Sequence, residues 1–375
     1  MNGEEAALGL SWVTAAVARP ALRLLEEYGV EAVWRATPAA LRRMHPSPDW
    51  VESFVARRSL FVPDQMRAAL RAGGLRFIPY GHADYPAGFR HLPTPPAGVY
   101  LRGEPEVYRA FLGMPRITVV GTRAPTPYGL AACAVFTREF ATAGVAVVSG
   151  LALGIDAQAH RAALEAGAVT AAVLGCGVDV PYPRRHRGLY GRIRREGVLL
   201  SELPPGWPPA PWTFPERNRL LAALGDAVLV VEAGARSGAL GTAGWAADLG
   251  RHVQAIPGPV FGQTFIGSHR LIAEGAACCF DPGRAVEEFF RETRTERGER
   301  GEGPPHREPQ AGPELGSAAR LVVLALAGGA RTVDEVAAAA GLSAAEAAAA
   351  LALLELQGAA ARAGPGRYML VSLQL

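Results

Sequence analysis

Short apolar runs, each ending in a polar or glycine-rich turn, recur through the middle of the chain. Residues 117–120 and 145–148 are rich in β-branched side chains and only four residues long. Such runs are typical of parallel strands that are buried on both faces, and they are too short for helices. The same alternation of runs and turns continues to about residue 290. The pattern predicts an α/β fold whose polar turns lie at one edge of a parallel sheet.

The two ends of the chain follow other patterns. Residues 1–75 carry apolar positions at helical spacing, which predicts a small helical domain. Residues 291–316 are charged, rich in Gly and Pro and nearly free of large apolar side chains, so we expect a flexible acidic linker. Beyond it, residues 317–375 show three helical segments and a hairpin around residues 364–366, the order of a winged-helix domain.

Composition narrows the class of protein. A chain of 375 residues is long enough for two or three domains. Charge, Gly or Pro interrupts every apolar run, so we expect neither a signal peptide nor a membrane span. The four cysteines lack zinc-type spacing and suit reduced thiols in a cytoplasm. We therefore predict a cytoplasmic protein without a metal or a cofactor.

All 38 basic residues are arginines. Any phosphate contact from a charged side chain must therefore come from a planar, often bidentate guanidinium. Basic residues outnumber acidic ones between residues 106 and 285, whereas residues 286–316 hold five Arg and eight Glu. The densest basic run, residues 184–195, is interpreted either as solvated surface or as an electrostatic path for a nucleic-acid backbone.

The candidate contacts lie in four turns at the ends of apolar runs, which are, in order, residues 121–123, 149–156, 214–219 and 237–238. Backbone amides and arginines at strand ends are the groups with which an α/β sheet holds phosphate. Arg123 is predicted to clamp a phosphate, while Asp156 is interpreted either as a helix cap or as a site residue. Arg217 and Arg219 are expected on a loop and the first turn of a helix that continues through residues 220–224. One is expected to face the ligand and the other a buried partner, and the sequence leaves open which. The predicted contacts from the turns are Gly121, Thr122, Arg123, Ser149, Gly150, Gly154, Arg217, Asn218, Arg219, Ser237 and Gly238.

Two tryptophans, Trp207 and Trp212, lie between prolines just before the third turn. Aromatic rings stiffened in this way suit base stacking, so Trp207 joins the predicted contacts, with packing under a loop as the alternative. His160 is expected to be a structural or pocket-lining histidine and not a general base, because no nucleophile or metal-binding motif accompanies it. No catalytic residue is predicted.

The turns occur in a recognisable order. They read V-V-G-T-R-A-P-T-P-Y-G, S-G-L-A-L-G-I-D-A-Q-A-H, L-G-C-G-V-D-V-P-Y-P, F-P-E-R-N-R-L-L and A-I-P-G. Over roughly residues 76–290 this succession resembles the DprA/Smf DNA-processing family. The resemblance implies an extended Rossmann-like core, extra strands in residues 76–105 and an N-terminal helix-hairpin-helix-like (SAM-like) module. Its phosphate-binding hairpin would fall at residues 17–20, which contain no glycine.

The resemblance also implies a function. Members of that family are single-stranded DNA-binding homodimers that protect incoming DNA during natural transformation and load the RecA recombinase. The main alternative is a nucleotide-hydrolysing Rossmann enzyme of the lysine-decarboxylase-like type. In that class a glutamate follows the glycine-rich turn, whereas this chain has Trp245 at the comparable position. We therefore expect a DNA-binding protein that is not an enzyme.

Overall fold

The structure is a computed structural model that describes residues 3–15, 20–45, 47–297, 317–327, 329, 331–356, 360–364 and 366–370. Its contacts divide the chain into two compact units, Met1–Gly298 and Glu299–Leu375. Most of the hairpin expected at residues 17–20 lies outside the described residues, so its role in phosphate binding stays open.

Six helices form the N-terminal part of the first unit. Prolines at the first turns of the last three suit helix starts, where their missing amide proton has no partner to lose. Leu10, Trp34 and Phe54 centre the core of this part. Leu8 and Phe77 belong to a second apolar cluster that joins these helices to the sheet. The helices are α1 (Gly3–Thr14), α2 (Pro20–Tyr28), α3 (Val30–Arg35), α4 (Pro38–Met44), α5 (Pro48–Ser59) and α6 (Pro63–Gly73).

A nine-stranded sheet forms the core of the same unit. Its order is β1-β2-β6-β5-β4-β3-β7-β8-β9, and the strands from β3 onward are parallel. The first two strands extend one edge in antiparallel pairing, as the resemblance implied. The strands are β1 (Arg76–Pro79), β2 (Gly98–Arg102), β3 (Arg116–Val120), β4 (Ala146–Ser149), β5 (Thr170–Val173), β6 (Val198–Ser201), β7 (Ala227–Val230), β8 (His252–Ala255) and β9 (Ala277–Cys278).

Helices cover both faces of the sheet, which is why the central strands are apolar on both sides. Phe140 and Phe289 centre the core on one face, and Phe111 and Leu221 lie in the core on the other. The helices are α7 (Pro105–Gly113), α8 (Pro127–Thr142), α9 (Ile155–Glu165), α10 (Arg187–Glu196), α11 (Thr213–Leu224), α12 (Gly238–Asp248), α13 (Ile266–Ala273) and α14 (Pro282–Arg297).

Two boundaries differ from the prediction. The third turn was expected to be a loop leading into a helix near Leu220, but α11 begins at Thr213 and includes the whole turn. The linker was expected from residue 291, but α14 continues to Arg297. Thr293 is buried and donates to the Phe289 carbonyl, so this polar segment still has one face against the core. Residues 298–316 lie outside the described part of the chain.

The strand order defines a crevice at the carboxyl ends of β3 and β7. From β3 the chain proceeds to β4, β5 and β6 on one side, then returns to β7 on the other side of β3. The connections that leave β3 and β7 diverge, which opens a gap between them. In open α/β sheets, ligands bind at this reversal of strand order.

The second unit has the order of elements of a winged helix. Thr332 and Glu335 form a capping box at the start of the second helix, and Gly341 ends that helix with a left-handed φ of 66°. Its elements are α15 (Ser317–Ala327), α16 (Val333–Ala340), α17 (Ala344–Leu356) and the antiparallel strands β10 (Ala360–Gly364) and β11 (Arg367–Leu370). The charged residues of α17 are two glutamates.

Among the described residues, no single helix is long and apolar enough to cross a membrane. The α16–α17 pair reaches that length and composition only across a 107° bend.

Candidate nucleic-acid interface

A cavity of about 490 Å³ occupies the crevice between β3 and β7. The turns after β3, β4 and β7 and the first half of α11 form its walls. Seven of the predicted contacts border it together: Gly121, Thr122, Arg123, Arg217, Asn218, Ser237 and Gly238. Turns that are up to about a hundred residues apart in the chain therefore form one site.

The first turn places an exposed arginine at the mouth of the cavity. The Thr122 amide donates to the Glu232 carbonyl at 2.7 Å, which fixes the turn against the end of β7. The guanidinium carbon of Arg123 lies 5.3 Å from the centroid of the Phe214 ring. The guanidinium thus lies over the aromatic ring, and a cation and an aromatic side chain, the groups that bind phosphates and bases, border the same opening.

The second turn packs directly against the first. Gly154 has a φ of 79°, and a Cβ there would lie 2.4 Å from the Thr122 carbonyl oxygen. Only glycine permits this approach. Asp156 is buried and accepts hydrogen bonds from the amides of Gly150 and Ala152 at 3.2 and 3.3 Å. Burial raises the pKa of Asp156. Its hydrogen bonds close the turn at the start of α9, which matches the helix-cap interpretation.

Arg217 borders the cavity but is itself buried. Its Nη1 donates to the Gly150 carbonyl at 2.8 Å and also to the Val173 carbonyl. Burial lowers the pKa of Arg217, and the carboxylate of Asp156 opposes that effect. A Cβ at Gly150 would lie 2.4 Å from the guanidinium nitrogens. Gly150 is therefore needed so that Arg217 can lie against the backbone, rather than to admit a ligand.

The turn after β7 and the start of α12 form another wall of the cavity. The Ser237 hydroxyl accepts from the Ala239 amide at 3.3 Å and caps the helix, and the side chain of Asn218 donates to the Gly238 carbonyl at 3.1 Å. The exposed Arg236 borders the same space. Helix N-termini carry partial positive charge, so α12 and the surrounding arginines give the cavity the character of an anion site.

Five predicted contacts do not border the cavity: Gly150 and Gly154 shape its turns, as described above, and the other three lie elsewhere, each for a physical reason. Ser149 is buried, and its hydroxyl donates to the Val119 carbonyl at 2.7 Å. Arg219 is buried in an ion pair with Glu202, so Arg217 is the arginine of this pair that borders the cavity. Trp207 is half-buried, and it faces the guanidinium of Arg57 at 5.7 Å instead of the cavity. We therefore remove these three from the set of direct contacts.

Three site residues were missed by the sequence analysis. Phe214 is an aromatic residue that borders the cavity, which Trp207 does not. Arg236 directly precedes the Ser237-Gly238 turn, and this position in the sequence could have identified it as a candidate contact. Glu232 is fully buried and accepts from the amide and hydroxyl of Thr126 at 3.0 and 2.9 Å. It holds the end of the first turn, which no local pattern reveals.

Two residues that bear on the enzymatic alternative, His160 and Trp245, are packed into the protein. His160 is buried with its Nδ1 2.7 Å from the Thr170 hydroxyl, and burial lowers its pKa to about 3, so the ring is neutral and structural, as predicted. Trp245 packs partly buried against the core. Among the described residues, no group of three or more His, Cys, Asp or Glu side chains could hold a metal ion.

Comparisons with known proteins agree with this architecture. A family model described as DNA recombination-mediator protein A matches residues 76–290, and one described as the DprA winged helix domain matches residues 306–366. A Mycobacterium tuberculosis protein named putative DNA processing protein DprA is 46% identical over 246 residues, 64% of this chain. The match spans only 61% of that relative's length. The DNA processing protein DprA of Bacillus subtilis is 36% identical over 226 residues, 60% of this chain and 73% of that protein.

Two solved structures share the fold. DNA processing protein A from Streptococcus pneumoniae is 29% identical, with a TM-score of 0.66, and the match covers 76% of this chain and 97% of that one. DNA processing protein A from Helicobacter pylori, described for its single-stranded DNA binding mode, is 27% identical, with a TM-score of 0.53 over 58% of this chain and 96% of that one.

Proposed function

Because this chain belongs to the DNA recombination-mediator protein A family, we propose that it binds single-stranded DNA in the cavity between β3 and β7 and is not an enzyme. The observation that carries the proposal is the position of Arg123 over Phe214 at the mouth of an anion-binding crevice. The solved Helicobacter pylori relative, described for its single-stranded DNA binding mode, supports the same ligand.

The geometry suits a strand better than a duplex. Arg123 and the first turn of α12 offer charge and amides to phosphate, and Phe214 offers a ring face to an unpaired base. Bases in a duplex are already stacked on their neighbours, so they could not stack on the Phe214 ring. The proposed contacts are Gly121, Thr122, Arg123, Phe214, Asn218, Arg236, Ser237 and Gly238, with Gly150, Gly154 and Arg217 holding the turns in place.

The wider role that we propose follows the family. The protein acts in the cytoplasm as a homodimer, protects incoming single strands during natural transformation and loads the RecA recombinase on them. The test is RecA-dependent strand exchange on DNA already coated with single-strand-binding protein. Addition of this protein should remove the lag, and an unchanged lag would contradict the loading role.

A nucleotide-hydrolysing enzyme is the alternative with a specific observation in its favour. The Ser237-Gly238 turn caps α12 at the cavity, as a phosphate cradle would. That chemistry needs a glutamate after the turn, and Trp245 stands at the comparable position, partly buried in the core. The turn supports phosphate binding, but the side chain that would activate water is missing from it.

One experiment separates the two functions. Fluorescence anisotropy should show tight binding of single-stranded oligonucleotides, much weaker binding of the matched duplex and weak binding of mononucleotides. Chromatography of the same mixtures should show intact nucleotides. Release of base or phosphate at a rate that scales with protein concentration, and that a Ser237→Ala variant slows, would favour the enzyme.

A further inference from the structure

A second aromatic side chain, Tyr182, lies next to Phe214, the ring at the mouth of the cavity. Tyr182 follows β5, and its ring centroid lies 5.5 Å from that of Phe214, with the two planes inclined by 35°. Tyr182 is 40% exposed, so part of its ring is open to solvent. The guanidinium of Arg123, the ring of Phe214 and the ring of Tyr182 therefore form a continuous series of stacking groups that leads out of the cavity.

The loop that carries Tyr182 is held in place before any ligand binds. The carboxylate of Asp179 accepts from the Gly206 amide at 2.8 and 3.0 Å, and the Val180 amide donates to the Gly177 carbonyl at 2.9 Å. After Tyr182, the ring of His186 contacts the Leu151 carbonyl at 3.2 Å and ties the loop to the second turn of the site. A preorganised ring loses little conformational freedom on binding.

Positive charge surrounds the far end of this series. Arg184, Arg185 and Arg187 are exposed directly after Tyr182, and the exposed Arg161 lies on α9 nearby. Burial lowers the pKa of His186, and the cations Arg161 and Arg185 contribute in the same direction. A backbone that left the cavity past Tyr182 would meet arginines at once.

The opposite exit lacks these features. Tyr128 is also 40% exposed, but it lies on the β8 side, where its hydroxyl donates to the Pro257 carbonyl at 2.8 Å. Its ring packs on Phe265 at 5.5 Å. The neighbouring segment, residues 257–265, contains no charged residue. Nothing in that segment would hold phosphates.

We propose that Tyr182 is a second base-stacking site, so that the bound strand leaves the cavity over β5 towards the arginines that follow Tyr182. The inference rests on the proposed binding of single-stranded DNA, and it adds the direction of the strand and one further nucleotide subsite. The base next to the one on Phe214 stacks on Tyr182, whatever its identity, because every base has an aromatic face.

The test compares Tyr182→Ala, Tyr182→Phe and the matched control Tyr128→Ala in the full chain. Affinity for oligothymidylates of increasing length is measured by anisotropy, with thermal unfolding as the check on folding. Tyr182→Ala should weaken binding of the longer oligonucleotides by at least about fivefold, the lower end of base–aromatic stacking. Tyr182→Phe should keep wild-type affinity, and Tyr128→Ala should bind like the wild type.

Salt dependence separates lost stacking from lost phosphate contacts. Tyr182→Ala removes no charge, so its slope of log affinity against log salt should equal that of the wild type, whereas Arg123→Ala should have a smaller slope. If Arg123→Ala weakens binding but Tyr182→Ala does not, the inference about Tyr182 is overturned and the proposed function remains. Weakening by Tyr128→Ala alone would place the strand on the opposite side. A wild-type protein that does not bind single strands would overturn both proposals.

Discussion

Substitution of Gly150 by alanine should damage the site without touching any group that contacts DNA. The new Cβ would lie 2.4 Å from both terminal nitrogens of Arg217. The guanidinium must then move away, although it is buried and bonded to the carbonyls of Gly150 and Val173. The change tests whether Arg217 holds the turn after β4 in place beside the cavity.

The magnitude follows from the bonds of Arg217. A hydrogen bond from a charged donor contributes roughly 1.5 to 3 kcal/mol, so loss of both should lower the free energy of unfolding by about 3 kcal/mol or more. For a domain of this size, that corresponds to a fall in Tm of roughly 6 to 12 °C. Affinity for single strands should fall as well, since the Gly150 turn packs on the turn that carries Arg123.

The assay is thermal unfolding followed by circular dichroism, with oligonucleotide binding measured below the transition. Gly188→Ala in α10 is the matched control, because a Cβ at Gly188 would have no heavy atom within 4 Å. That variant should be as stable as the wild type, or more stable by up to about 1 kcal/mol. A Gly150→Ala protein that melts within about 2 °C of the wild type would refute the role assigned to Arg217.

Three further predictions concern pH, fluorescence and the second unit. Burial lowers the pKa of His160 to about 3, so below about pH 6.5 the unfolded chain binds a proton that the folded chain excludes. The free energy of unfolding should therefore fall by roughly 1.4 kcal/mol for each pH unit below that value. A His160→Asn variant with the same pH slope would contradict this. Tryptophan emission should be quenched by oligonucleotide through Trp212, which is 52% exposed, so Trp212→Phe should abolish the quenching and Trp207→Phe should preserve it. Deletion of residues 299–375 should leave single-strand affinity within tenfold of the full chain, because α17 carries no positive charge; a larger loss with the core still folded would show that this unit contacts DNA.

The sheet and its polar edge could be predicted because they depend on local patterns. The runs before Gly121 and Ser149 are β-branched and buried on both faces, and parallel strands bring their following turns to one edge. Arg123 was predictable for the same reason, since it directly follows a strand. What the pattern could not show is which side chains of a turn remain accessible.

Arg217 and Arg219 illustrate that limit. Both lie in α11, where positions two apart point to different sides, so only one of the pair can face the cavity. The choice depends on Glu202, which pairs with Arg219, and on the Val173 carbonyl, which binds Arg217. Both partners are distant in the chain.

The position of Trp207 shows the same limit. Trp207 stands between prolines and resembles a stacking residue, but it packs against Arg57 from the N-terminal helices. Phe214 opens α11 at the cavity and is the aromatic side chain beneath Arg123. Contacts between residues some 150 positions apart decided which ring is available, and no local pattern records them.

The most direct test of the central claim is a salt titration of single-strand binding by the wild type, Arg123→Ala and the control Arg138→Ala. Arg138 is an exposed arginine near the far end of α8, away from the cavity. If Arg123 neutralises one phosphate, its loss should weaken binding and reduce the slope of log affinity against log salt by about 0.7, while Arg138→Ala should match the wild type. An Arg123→Ala titration that coincides with the wild type would show that the strand does not bind at this crevice through Arg123.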